Sequence, residues 1–193
     1  MTDHFEYIST NSFYCVDIQE NSLILCDIDD TLLFTKENNA IQFILYEKCK
    51  KEYQLLLSEG IPQVEAFRMA EKTYYDEFIS SHAIDPLGFA DMQSKIETTG
   101  SVLMFLTARE PESFAFTQKN IADIGIDAQK YKIHYSGGRL SKGEYIRQHI
   151  DSTPYNKVIF IDNDFGNLRT VHMFGPQDKL ELYYFDHSSG PQR

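Results

Sequence analysis

Three short runs, apolar from end to end, constrain this chain most: residues 23–26 (Leu-Ile-Leu-Cys), 102–106 (Val-Leu-Met-Phe-Leu) and 158–161 (Val-Ile-Phe-Ile). A strand with one wet face alternates polar and apolar side chains. A run without alternation is buried on both faces, which is the condition of a parallel sheet covered by helices. Residues 131–135 form a weaker run of the same kind, and residues 180–185 read as an edge strand. Helical patterns separate these runs. Residues 111–124 carry Phe114, Ile121 and Ile124 on one face and stop before Gly125, a residue suited to a helix C-terminus. Ser141 followed by Glu144 is a capping-box pattern that opens a helix ending near Ile150. The fold class expected is therefore α/β, with a Rossmann-like parallel sheet flanked by helices.

Between the first and second runs the pattern is helical only. Ile41, Leu45, Cys49, Tyr53 and Leu56 make one stripe, closed by Gly60. Pro62 suits a first helical position, and Val64, Phe67, Tyr74, Tyr75 and Phe78 make a second stripe, while Pro86 opens a shorter third helix ending before Gly100. The division expected is a core made of residues 1–33 and 100–193, with 34–99 as a helical insert of roughly sixty residues.

Charge narrows the partners. With 18 Lys and Arg against 29 Asp and Glu, the net charge is −11. That argues against a nucleic-acid backbone or an anionic membrane as partner. The three cysteines, Cys15, Cys26 and Cys49, have no metal-type spacing, and no segment reaches membrane-spanning length. The expectation is a reduced, soluble, cytoplasmic protein.

In an open α/β sheet, ligands bind beyond the carboxyl ends of the strands. Here those ends carry reactive side chains. The first run is followed by Asp27, Asp29, Asp30 and Thr31, the second by Thr107, Ala108 and Arg109, and the fourth by Asp162, Asn163 and Asp164. Lys142 begins the helix after the third run. Carboxylates gathered in one place repel unless a hard cation sits among them, and Mg²⁺ prefers oxygen ligands. A carboxylate kept ionised there can attack phosphorus, and a second can protonate a leaving oxygen and later deprotonate water. A hydroxyl and an ammonium can hold the remaining phosphoryl oxygens.

These segments resemble the motifs of the haloacid dehalogenase superfamily, in its aspartate-nucleophile phosphatase branch. The first motif is Asp27-Ile28-Asp29-Asp30-Thr31 after its apolar strand, and the second is Thr107 at the end of 102–106. The third is Lys142 in Ser141-Lys142-Gly143-Glu144, and the fourth is Asp162-Asn163-Asp164 after 158–161. The resemblance implies a Mg²⁺-dependent phosphatase acting on a small phosphate ester through an aspartyl-phosphate on Asp27. In it, Asp29 is the general acid/base and also offers its backbone carbonyl to the metal. Thr107 and Lys142 hold the phosphoryl group, with Thr31, Ala108 and Arg109 beside the substrate. Asp162 ligates the metal directly, and Asn163 or Asp164 completes the shell. It further implies that the first-motif strand lies between those bearing the second and fourth, and that the insert is a helical (C1-type) cap. Asp29 marks an ester leaving group, because a departing halide needs no proton.

Some readings stay open. Arg109 either reaches a substrate phosphate or pairs with Glu110 or Glu112. Gly137-Gly138 either presents backbone N–H groups to phosphate or is a plain tight turn. His134 is the histidine nearest the strand ends. The rival functional reading is a non-catalytic or regulatory phosphate-binding relative, such as a receiver-like phospho-aspartate module.

Overall fold

The computed structural model of the chain describes residues 5–34, 39–78 and 82–186, without side chains at 39–46 and 71–78. The stripe positions Ile41, Leu45, Tyr74, Tyr75 and Phe78 therefore lie outside the described side chains. The first half of the chain runs β1 (Ile8–Thr10), β2 (Ser22–Cys26), β3 (Leu33–Phe34), α1 (Asn39–Ser58), α2 (Gln63–Phe78), β4 (His82–Ala83) and α3 (Pro86–Thr99). The second half runs β5 (Val102–Thr107), α4 (Phe114–Asp123), β6 (Lys132–Tyr135), α5 (Lys142–His149), β7 (Lys157–Asp162), α6 (Phe165–Phe174) and β8 (Leu180–Phe185).

Six of the strands form one sheet in the order β1-β8-β7-β2-β5-β6, every pairing parallel. This is the α/β Rossmann-like architecture expected from the apolar runs, and β2 lies between β5 and β7. Alternate residues along β2 feed two cores, because successive side chains of a strand point to opposite faces. Ile24 and Cys26 pack with Phe105 and Ile161 on one face, together with Phe89, Met92 and Ile96 of α3. Leu23 and Leu25 pack with Val158 and Phe160 on the other, under Ile146 of α5 and Leu168 and Val171 of α6.

Two expectations need correction. Residues 180–185 form a strand with the expected bounds but not at the edge: β8 is covered by β1, whose Ile8–Thr10 pair with Tyr183–Phe185. Phe114 does not face the core. Pro111–Ser113 form a 3-10 turn, so α4 begins only at Phe114, which is exposed at the helix start while Ile121, two turns on, is fully buried.

The 34–99 segment has two kinds of helix. α1 and α2 pack on each other through Leu56, Ala66 and Ala70, and the carbonyl of Pro62 accepts from the Ala66 N–H, so Pro62 precedes the first turn of α2. The short antiparallel pair β3–β4 stands at the start and end of that stretch. α3, by contrast, shares the core of the sheet. Its start is fixed by the buried Asp85, whose carboxylate accepts from Gly88 N–H (3.0 Å), Phe13 N–H (2.9 Å) and Ser12 Oγ (2.6 Å). One carboxylate thus caps α3 and ties the N-terminal segment to it.

Candidate active site

Register brings the chemistry together. Cys26 pairs with Phe105 on one side and Ile161 on the other, so the next residue of β2, Asp27, stands level with the ends of both neighbours. The ladder continues one step further, with the Asp27 N–H donating to the Ile161 carbonyl at 2.9 Å. After Asp27 the chain turns back sharply. Asp30 adopts φ 57°, in the left-handed region that Asp tolerates better than most residues, and the Leu32 and Leu33 N–H groups both donate to the Ile28 carbonyl.

At the centre lies Lys142, 2% exposed, at the start of α5. Its Nζ donates to Asp27 Oδ1 and, at 2.7 Å, to Asp162 Oδ2. The expected capping box holds this helix start in place. Ser141 Oγ accepts from the Glu144 N–H, and the Glu144 carboxylate accepts from the Ser141 N–H. Asp162 is further fixed by the Asp164 N–H at 2.7 Å and by Asn167 Nδ2 at 3.1 Å. Asn167 was not foreseen; its only sequence signal is an amide in the first turn of the helix behind the fourth acidic segment.

Electrostatics follow from that packing. Burial pushes the Asp27 carboxyl up to about 7 against the pull of the Lys142 ammonium, and Asp162 adds to the rise. Burial likewise raises Asp162. For Lys142 burial works downward, but the two carboxylates outweigh it and hold the ammonium charged well above its ordinary range. Fully ionised, the two buried carboxylates would outnumber the one buried ammonium by one charge, and burial raises the pKa of both.

Asp29 is handled separately. Burial works to raise its pKa, yet Arg109 overcomes this and lowers it. The guanidinium grips Asp29 through Nε to Oδ2 at 2.9 Å and Nη2 to Oδ1 at 2.6 Å. Thr107, fully buried at the end of β5, accepts from the Arg109 N–H at 3.1 Å and helps keep Asp29 ionised. The pairing of Arg109 with Asp29 was not among the sequence readings, which weighed only phosphate, Glu110 and Glu112.

The remaining expected residues are braced in other ways. Thr31 is fully buried; its hydroxyl accepts from the Asn163 N–H at 3.0 Å and donates to Asn163 Oδ1 at 3.3 Å. This ties the first acidic segment to the fourth. Asp164 is exposed and caps α6, accepting from the Gly166 N–H at 2.6 Å. Ala108 lies between Thr107 and Arg109 on the same strand end. Gly137 and Gly138 take φ 64° and 62°, and the Gly137 N–H is spent on the Arg109 carbonyl, which is the arrangement of a tight turn.

The donor set fits Mg²⁺. Asp27 and Asp162 present hard carboxylate oxygens from adjacent strand ends, with the Lys142 ammonium at the point they share. Among the described residues no group of three or more His, Cys, Asp or Glu side chains could hold a metal ion. Mg²⁺ keeps several of its waters, so two carboxylates are an adequate protein contribution. A cavity of about 440 Å³ begins one residue from Arg109, at Glu110, and runs between Arg139 and the Tyr53 and Phe67 side chains of α1 and α2. A somewhat larger groove, about 530 Å³, follows the C-terminal ends of α5 and α6; neither it nor the cavity is lined by Asp27, Asp29 or Asp162.

The fold is a Rossmann-like α/β fold built on one six-stranded parallel sheet. Among solved structures, the chain is similar to a Thermotoga maritima protein assigned as a beta-phosphoglucomutase, with 9% identity and a TM-score of 0.50 over 82% of this chain and 83% of the other. It is also similar to the Legionella pneumophila effector Ceg4 bearing an N-terminal yeast Hog1p sequence, with 15% identity and a TM-score of 0.45 over 90% and 93%. No family model and no curated protein matches the sequence. At these identities the first likeness is one of fold. Among the described residues no helix is long and apolar enough to cross a membrane.

Proposed function

We propose that this chain is a Mg²⁺-dependent phosphatase that hydrolyses a small phosphate monoester through a phosphorylated Asp27. The observation that carries the reading is the convergence of Asp27 and Asp162, from adjacent strand ends, on the single buried ammonium of Lys142, with Thr107 ending the strand on the other side. Asp27 and Asp162 would hold Mg²⁺, and the ion would supply positive charge beside the Lys142 ammonium. Asp29, ionised in the free protein, takes up a proton as the phosphate dianion arrives beside it. An Asp27 oxygen then forms a bond to phosphorus as the bond to the leaving oxygen breaks, and that oxygen takes the proton from Asp29. Lys142 and the Thr107 hydroxyl hold phosphoryl oxygens while charge spreads over them. A water then gives its proton to Asp29 and its hydroxyl to phosphorus. The bond to Asp27 breaks, and Asp29 again carries a proton. The cavity beside Arg109 receives the rest of the ester, and α1 and α2 serve as the cap.

Asp27→Asn replaces the attacking oxygen with an amide and should lower turnover of an aryl phosphate in Mg²⁺ by at least ~1,000-fold, the scale expected when a covalent nucleophile is lost. Chelation of Mg²⁺ from the wild type should abolish the same signal. Unchanged turnover by Asp27→Asn would refute the proposal.

A further inference from the structure

The Arg109 guanidinium faces two ways. Its Nε and Nη2 form a planar fork on both oxygens of Asp29, while Nη1 points away and donates to Thr117 Oγ1 at 3.1 Å and Asn120 Oδ1 at 3.0 Å on α4. Thr117 and Asn120 are themselves buried polar residues of that helix. The Arg109 side chain is 4% exposed, against 36% for Asp29. An arginine that serves a phosphate presents the open edge of its fork to the ligand. Here that edge is spent on a carboxylate, and the nitrogen behind it is fastened to a helix. An exposed ion pair leaves both partners free to change rotamer. This one is anchored from behind, so it determines where the Asp29 carboxylate can be.

We propose that Arg109, held by Thr117 and Asn120, is a positioning residue for proton transfer by Asp29 and not a ligand of the substrate phosphate. The inference rests on the phosphatase reading above. In the first step the electron pair of the breaking phosphorus–oxygen bond goes to the leaving oxygen, which takes from Asp29 the proton that carboxylate picked up when the dianion bound beside it. The negative charge that remains on Asp29 then develops opposite a fork already in place, with no reorganisation needed. Two coplanar N–H donors also fix the carboxylate plane, so its orientation toward the leaving oxygen is set before substrate arrives. Lysine cannot substitute, because an ammonium is a point charge without a plane.

The test uses two esters that differ in their need for a proton. An alkyl phosphate must be protonated as it leaves, whereas 2,4-dinitrophenyl phosphate leaves as a stable anion. The ratio kcat/KM covers only the steps up to departure of the leaving group, so the shared second step does not enter it. In Arg109→Lys, kcat/KM for the alkyl ester should fall roughly 30- to 300-fold, the range of a general acid that is present but misplaced. For the dinitrophenyl ester it should change less than about 3-fold, as should the inhibition constant of inorganic phosphate. Asn120→Ala, which touches neither Asp29 nor phosphate, should reproduce the same selective loss at about 3- to 10-fold; it carries the test if Arg109→Lys fails to fold. Parallel loss with both esters and weaker phosphate inhibition would make Arg109 a phosphate ligand and overturn the inference. No change with either ester would also overturn it. A wild type that turns over neither ester would overturn the phosphatase reading itself, and with it this role for Arg109.

Discussion

Lys142 and His134 are both buried titratable side chains, and the chain treats them in opposite ways. Lys142 is charged because two carboxylates compensate the loss of water; an isolated ammonium there would cost several kcal/mol. His134 has no such partner. Its Nδ1 lies 3.4 Å from Tyr145 Oη and its buried Nε2 has no hydrogen-bond partner among the described residues. Burial, and after it the charges of Lys132 and His149, lower its pKa from 6.5 to about 4. In the unfolded chain it titrates near 6.5, so between those values the unfolded state binds the extra proton. Stability is therefore fully present above pH 6.5 and is lost as pH falls toward 4. His134→Gln should flatten the pH dependence of the unfolding free energy across that window by about 1 kcal/mol per pH unit. Urea titrations at pH 7, 5.5 and 4.5 would measure it, and identical slopes in wild type and variant would disprove the assignment. None of this was legible in the sequence beyond the position of a histidine near a strand end, because a lowered pKa depends on what packs around the ring.

At the scale of elements, the long central strands were legible, and through the resemblance so were the neighbours of β2, but what packs on β8 and on α3 was not. β2, β5 and β7 declared themselves as unbroken apolar runs, since burial on both faces leaves no polar residue to interrupt them. β1 has only three residues, of which only Thr10 is buried, so nothing marked it as the strand that covers β8. Pro86 and Gly100 bounded α3 but said nothing of what it packs on, and the expected insert boundary at Gly100 therefore takes in a helix that packs on the sheet. Likewise, Arg109 meets Asp29 across 80 residues of sequence, a distance over which spacing carries no information. The packing of α5 on α6 is equally silent in sequence, and it turns on one residue. A Cβ at Gly143 would lie 2.0 Å from the Thr170 carbonyl oxygen and 2.8 Å from the Val171 nitrogen. Both are backbone atoms, so the helices would have to separate. Gly143→Ala gains about 1 kcal/mol in helix propensity. Forced separation of packed elements costs about 1–3 kcal/mol, and the backbone clash puts this site at the upper end, so a net loss of up to about 2 kcal/mol is expected. Because Lys142 is the preceding residue, the same variant should also lose phosphatase activity while still folded at low temperature. Thermal denaturation and an ester assay together check this; an alanine variant as stable and active as the wild type would show that the two helices can move apart at no cost.

For the whole molecule, the sign of the charge is the constraint. The chain carries −11, and the proposed substrate is a phosphate dianion. An enzyme with a matching field steers its substrate in, and added salt slows it by screening the attraction. Here the far field repels, and the compensating charges sit deep: Lys142 and Arg109 are both buried, so their reach into solvent is short. Nearer the surface, Arg139 and Lys50 border the same cavity as Glu110 and Glu112, and the two signs offset. The dianion therefore meets repulsion at long range and attraction only on arrival. The Debye length shrinks from about 30 Å at 0.01 M ionic strength to about 8 Å at 0.15 M, which removes most of the former and little of the latter. With Mg²⁺ held saturating, kcat/KM for a dianionic ester should thus rise roughly 2- to 5-fold over that interval of added NaCl. kcat, which is measured once the substrate is inside, should stay level. A fall in kcat/KM with salt would mean that the mouth of the site is net positive despite the charge of the chain, and the surface cations around it would then have to be counted as part of the substrate's path.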